Sequence, residues 1–286
     1  MRSSYSFLLL LLFCACKAEN DTSSPTEDRS ELALLLDQMP IELQQVFIAP
    51  TVEECDAFSL INQAEINIEN NTWNATNLAP GSYEQCIYQY NIIEENWVGW
   101  KWSYPDIAEG INAYPQLIYG KKPWHSGSTT TALPVEIDQI ERLKAQYAVA
   151  ISRNEGEYNL AFDNWISSAA SSRPEEIQFE FMIWEDYHEI IPFGDFIANI
   201  VTPNGAYDLY TGEPTWEPEG TNWTYIAFVR TSKRTEGTVD IDLLLQYLVD
   251  QDIVPGESYL SSIEFGTEIG NSKGYAVIKS FNISLE

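Results

Sequence analysis

The sequence predicts an all-β fold: a sandwich of two packed antiparallel sheets with one short helix laid outside. Short segments rich in β-branched and aromatic residues recur from residue 64 onward, and Gly, Pro, Asn and Asp fill most of the gaps between them. No strand–helix–strand rhythm interrupts them, and about a dozen strands in one chain require two sheets that bury each other's faces. With 286 residues, 44% of them hydrophobic and 13% aromatic, the chain can fill a thick core between those sheets.

The amino end precedes the domain. Met1 and Arg2 lead into the apolar run Phe7 to Phe13, which is too short to span a bilayer, so residues 1–16 read as an export signal. The order Phe13-Cys14-Ala15-Cys16 suggests lipoprotein processing with Cys16 acylated, which would anchor an exported protein at the periplasm or cell surface. Ordinary cleavage near Ala15 or Ala18 is the alternative and gives a secreted protein. Residues 17–45 read as a flexible linker: 17–30 are polar, and Glu31 to Asp37 add a short helix or a sticky patch. The domain then occupies residues 46–286.

The strands expected within it are 64–69, 83–90, 97–104, 115–119, 144–151, 156–165, 177–184, 195–201, 206–210, 223–230, 257–265 and 274–284. The helix is 240–248, where Leu243, Leu244, Tyr247 and Leu248 recur at helical spacing, Asp240 or Asp242 sits in the first turn, and Val254-Pro255 end it. Outside the signal, Cys55 and Cys86 are either a disulfide or two buried thiols. The disulfide suits export, and closing a loop of that length is worth about 3–4 kcal/mol. His125 and His188 stand far apart and no CxxC or HExxH spacing exists, so no metal site or cofactor is expected.

Charge narrows the partners. Against 15 Lys and Arg stand 43 Asp and Glu, a formal net charge of -28. Such a chain repels nucleic acid, anionic membrane surfaces and acidic polysaccharides, and leaves neutral polymers as partners. Nothing in the sequence asks for more than a monomer.

One strand holds the chemistry. In FEFMIW (179–184) the period of two puts Phe179, Phe181 and Ile183 on a core face and Glu180, Met182 and Trp184 on the other. Glu180 is then either a paired or solvated surface acid, or a catalytic carboxylate on a cleft floor with Trp184 as a sugar platform. Glu268 follows a strand and the turn residue Gly266, and is a second candidate.

Several stretches, taken in order, carry a family resemblance. They are Asn70-Asn71-Thr72-Trp73-Asn74, Tyr114 to Gly120 with Lys122-Pro123-Trp124, Tyr158 to Asp163, Glu180 to Trp184, Ile191-Pro192-Phe193-Gly194, and Tyr259-Leu260 running to Gly266-Thr267-Glu268. Together the chain resembles the glycoside hydrolase family 12 endoglucanases over about residues 60–286. The resemblance implies a concanavalin-like β-jelly roll and endo-acting, retaining hydrolysis of β-1,4-glucosidic bonds in neutral, cellulose-type β-glucans. Xyloglucan or mixed-linkage β-1,3-1,4-glucan are the alternative substrates, and a non-catalytic carbohydrate-binding lipoprotein is the alternative of another class. It further implies Glu180 as nucleophile, Glu268 as general acid/base held protonated by the nearby charge of Glu180, and Asp163 as the acid supporting the nucleophile. Trp73 would form a sugar platform, with Asn71, Trp124, Met182 and Trp184 also at the cleft. The family usually follows the acid/base with Pro and an aromatic, whereas Ile269 and Gly270 stand here.

Overall fold

A computed structural model describes residues 39–75, 78–79, 81–92, 95–105, 110–152, 156–214 and 223–286. Cys14, Cys16 and the export signal lie outside them, as does most of the expected linker.

Two sheets form a jelly-roll sandwich. The smaller has six strands in the order β1 (Val52–Glu54), β4 (Glu84–Ile92), β5 (Glu95–Ser103), β17 (Lys273–Leu285), β8 (Leu143–Ile151), β14 (Glu236–Asp240). The larger has eleven. Nine follow the order β11 (Asp195–Thr202), β12 (Gly205–Gly212), β13 (Thr224–Arg230), β10 (Ile177–His188), β9 (Tyr158–Ser167), β16 (Ser262–Gly266), β6 (Gln116–Gly120), β3 (Ile66–Glu69), β2 (Leu60–Gln63). The short β7 (Val135–Glu136) and β15 (Tyr259–Leu260) complete it, β15 pairing with both β7 and β9. Pairing is antiparallel except between β10 and β13, which run parallel.

Alternation along the strands builds the core. On β9 and β10, Leu160, Phe162, Ile166, Phe181 and Ile183 join Phe265 of the neighbouring β16 in facing the smaller sheet, where Trp100, Tyr147 and Ile278 belong to the same core. Packing this apolar layer dry is the main stabilising term. Among the described residues, two α-helices, not one, lie outside. In α2 (Ile241–Asp250), Ile241, Leu244, Leu245 and Leu248 are buried while Leu243 faces solvent, so the buried stripe is rotated from the one expected. The other, α1 (Ile41–Ile48), starts inside the stretch expected as linker. It buries Leu43, Val46 and Phe47 against Tyr88 and Val277 on the outer face of the smaller sheet, with the Phe47 and Tyr88 rings 5.0 Å apart, edge to face.

Cys55 and Cys86 form a disulfide. This corrects the expectation of a lipid-anchored protein tethered through Cys16. The cysteines of the described domain are spent in a structural crosslink, which leaves no thiol there for a lipid. It marks a domain matured in an oxidising, extracellular setting, and the secreted reading replaces the anchored one.

Candidate active site

The face of the larger sheet turned away from the core carries the site. Register places the residues. Asp163 on β9 lies opposite Met182 on β10, and Trp165 lies opposite Glu180. Side chains paired this way share a face, so Asp163 and Glu180 are diagonal neighbours within side-chain reach. On the other flank of β9, Glu264 of β16 lies opposite Asp163, and across the parallel pair Tyr225 of β13 lies level with Glu180.

Glu268 reaches the same face from the turn after β16. Gly266 makes that turn possible, because a Cβ there would lie 2.4 Å from the Pro115 carbonyl oxygen. The turn is tied down twice. Trp100 Nε1 donates to Thr267 Oγ1 at 3.2 Å. Asn159 on β9 clasps Glu268, its Oδ1 accepting the Glu268 N–H at 3.0 Å, its own N–H donating to the Glu268 carbonyl at 3.0 Å, and its Nδ2 donating to Oε2. Ile269 is buried and bridges Ala113 and Tyr158, so the residue that departs from the family pattern braces the turn from inside.

Burial raises the Glu268 carboxyl to about 7, against a downward pull from Asn159. This corrects the expected cause: burial, not the charge of Glu180, holds the proton. Asp163 is pushed well above the usual carboxylate range, first by burial, then by Glu180, Glu264 and Glu268, with Lys122 opposing. Its Oδ1 is buried without a hydrogen-bond partner among the described residues, as suits a neutral carboxyl.

Tryptophans wall the nucleophile candidate. Trp223 Nε1 donates to Glu180 Oε2 at 2.8 Å. Trp165 packs edge-on between Trp223 and Trp124, with centroids 5.3 and 4.9 Å away. Trp124 ends this row half-exposed, and Trp73 is 45% exposed near the β3–β6 side of the sheet. Both remain accessible to solvent. Trp184 does not: it is 2% exposed, packed with Met182, Val229 and Tyr187, and its Nε1 donates to Met182 Sδ at 3.5 Å. The platform expected there is a packing residue under the site. Asn71 is buried too, and its Oδ1 accepts the Trp73 N–H at 3.2 Å, so it shapes the loop that carries Trp73.

The sequence reading missed several of these residues. Asn159 carried a signal, since 159, 161, 163 and 165 alternate onto one face of β9. Trp223 gave none, because its partner lies 43 positions away. Nor did a second buried charge group. Glu69 accepts from Lys122 Nζ at 2.5 Å, Gln116 Nε2 at 2.9 Å and His125 Nε2 at 3.1 Å, and Lys122 also lies 3.7 Å from Glu264. Glu53, Cys55 and Cys86 cluster as metal ligands would, but the two sulfurs are bonded to each other, so the group cannot serve as one.

Comparison with known proteins identifies the family. Residues 64–286 match the family model "Glycosyl hydrolase family 12". Endoglucanase S of Pectobacterium parmentieri is 27% identical over 225 residues, spanning 76% of this chain and 80% of that protein. The xyloglucan-specific endo-beta-1,4-glucanase 1 of Phytophthora nicotianae is 26% identical over 230 residues, spanning 77% and 86%. A family 12 xyloglucanase structure from Bacillus licheniformis superposes with a TM-score of 0.74 at 23% identity, covering 82% of this chain and all of that one.

Proposed function

The chain belongs to glycosyl hydrolase family 12 and is an endo-acting β-glucan hydrolase; within that class, we propose that its polymer is xyloglucan, cut by Glu180 and Glu268 with Asp163 in support. The observation that carries the catalytic assignment is the shared outer face of the larger sheet, where Glu180 and Asp163 are diagonal neighbours and Asn159 holds Glu268 on the turn beside them.

Glu180 attacks the anomeric carbon while Glu268 donates its proton to the glycosidic oxygen. Water then attacks the glycosyl-enzyme with Glu268 as base, so the configuration is retained. A carboxyl raised to about 7 stays protonated through mildly acidic pH, as the first step requires. Trp223 and a protonated Asp163 stabilise the Glu180 carboxylate before it attacks and again as it leaves the anomeric carbon in the second step. Trp124 and Trp73 are exposed aromatics that would offer flat faces to glucose rings.

Xyloglucan replaces the unbranched glucan expected from the sequence because relatives such as the Phytophthora nicotianae enzyme are named for it. The net charge of -28 keeps the polymer neutral in either case. The secreted, disulfide-bonded domain would meet it outside the cell. Reducing-end release from xyloglucan, unbranched β-1,4-glucan and mixed-linkage β-glucan tests this beside Glu180→Gln. Fastest internal cutting of xyloglucan, lost in the variant, is expected. Faster cutting of unbranched or mixed-linkage glucan rejects the substrate, and hydrolysis unchanged in Glu180→Gln rejects the nucleophile. Binding without release from any polymer would favour a carbohydrate-binding role.

A further inference from the structure

We propose that Lys122 and Glu264 are positioning residues that control the proton on Asp163, and through it the pH range in which the Asp163–Glu180 pair works. The inference rests on the reading of Glu180 as nucleophile and Asp163 as its supporting acid.

The geometry is a line of charge running across the sheet into the site. It begins at His125 and Glu69, continues through Lys122 to Glu264, and crosses from β16 to Asp163 on β9. Glu264 is 1% exposed and Lys122 is 6% exposed, so neither is a solvated surface charge. Glu69 already has Lys122, His125 and Gln116, a full set of partners that keeps it ionised at about 2 despite its burial. Among the described residues, Glu264 has Ser262 Oγ at 2.8 Å and the more distant Lys122 as partners. It is the less satisfied of the two acids that share one cation.

The groups facing Asp163 complete the account. Glu180 approaches from β10 and Glu268 from the turn after β16, while Lys122 is the opposing cation. The Tyr114 and Tyr225 hydroxyls sense the same carboxylates, and both are driven well above the usual phenol range, chiefly by burial, so they stay neutral. Asn159 is neutral. A change at Glu264 or Lys122 is therefore felt by Asp163 with little competition from other titrating cations.

The signs follow. Burial raises Glu264 to about 7 while Lys122 pulls it down, so it ionises near neutrality. Its charge then appears directly across from Asp163 and holds the Asp163 proton in place. Below neutrality Glu264 is uncharged and exerts no such hold. Lys122 acts oppositely at every pH, drawing the Asp163 proton off. Nothing in the hydrolytic chemistry needs these two residues to touch substrate, which is why they are positioning and not catalytic residues.

The test follows the carboxyl 13C resonance of Asp163, assigned by its loss in Asp163→Asn, through a pH titration of the wild type, Glu264→Gln and Lys122→Met. Gln keeps the shape and can still accept from Ser262. In Glu264→Gln the Asp163 midpoint is expected to fall by about one pH unit, and in Lys122→Met to rise by a similar amount. The alkaline limb of xyloglucan hydrolysis should move down with the first variant, its acidic limb keeping its midpoint. A merely structural role would alter amplitude or melting temperature and leave the midpoints where they are. An unmoved Asp163 midpoint in folded Glu264→Gln overturns the inference, even if Lys122→Met fails to fold. If the wild type cuts no β-glucan, the proposed function fails while the Asp163 titration still decides this one.

Discussion

Replacing Glu268 by Gln should stabilise the protein, and only at neutral to alkaline pH. The Glu268 carboxyl rises from 4.5 in the unfolded chain to about 7 in the fold. Near pH 4 both states hold the proton and the group costs nothing. Between pH 4.5 and 7 the unfolded chain releases it while the folded protein keeps it, so stability falls as pH rises through that window. Above 7 the full cost remains, about 3 kcal/mol by linkage. Part of the Glu268 side chain is open to the cleft, and water screening trims this to about 2 kcal/mol. Gln carries no charge at any pH and can still accept from Asn159 Nδ2. Glu268→Gln should therefore melt about 4–8 °C above the wild type at pH 8 and level with it near pH 4. Scanning calorimetry at the two pH values measures this. An equal gap at both, or a variant less stable at pH 8, would refute the argument that burial holds the proton. The same variant should lose hydrolysis, a trade of stability for function common at catalytic sites.

Three further outcomes are expected. Trp223→Phe keeps a ring but removes the donor to Glu180 Oε2, and kcat should fall about tenfold or more, as for a hydrogen bond to a charged group. Glu69→Gln should cost about 3 kcal/mol at pH 7. Because Glu69 is held at about 2 in the fold, against 4.5 unfolded, its stabilisation is present above 4.5 and lost as pH falls toward 2, so acid-unfolding curves of variant and wild type should converge there. Cys55→Ser opens a crosslink spanning 31 positions and should lower the unfolding free energy by about 3–4 kcal/mol in urea titrations.

Period-two alternation made most of the sandwich legible, because strands such as β8 bury every second residue and the sequence repeats that fact along the strand. What lacked a repeat was missed. β1, β2, β7 and β14 are two to five residues long, too short for a period to register. The segment that became α1 is mixed in polarity, and its place is set by contact with Tyr88 and Val277 far along the chain. At the site, Glu180 stood out as an acid amid aromatics. Glu264 and Lys122 did not, since each looks like an ordinary surface charge until β16, β9 and β6 are laid side by side. Trp184 misled for the opposite reason. Alternation assigned its face correctly but could not say that Tyr187 and Met182 would cover it.

The places of β16 and β17 bear on how the molecule is made. Each follows all its sheet neighbours in the chain, yet each sits in the middle of its sheet, β16 between β9 and β6, β17 between β5 and β8. Neither sheet can zip up from earlier strands alone. Both wait for long-range insertions, which slows folding and leaves edges unpaired meanwhile. Glu268, borne on the turn between those two late strands, reaches Glu180 only when both sheets close.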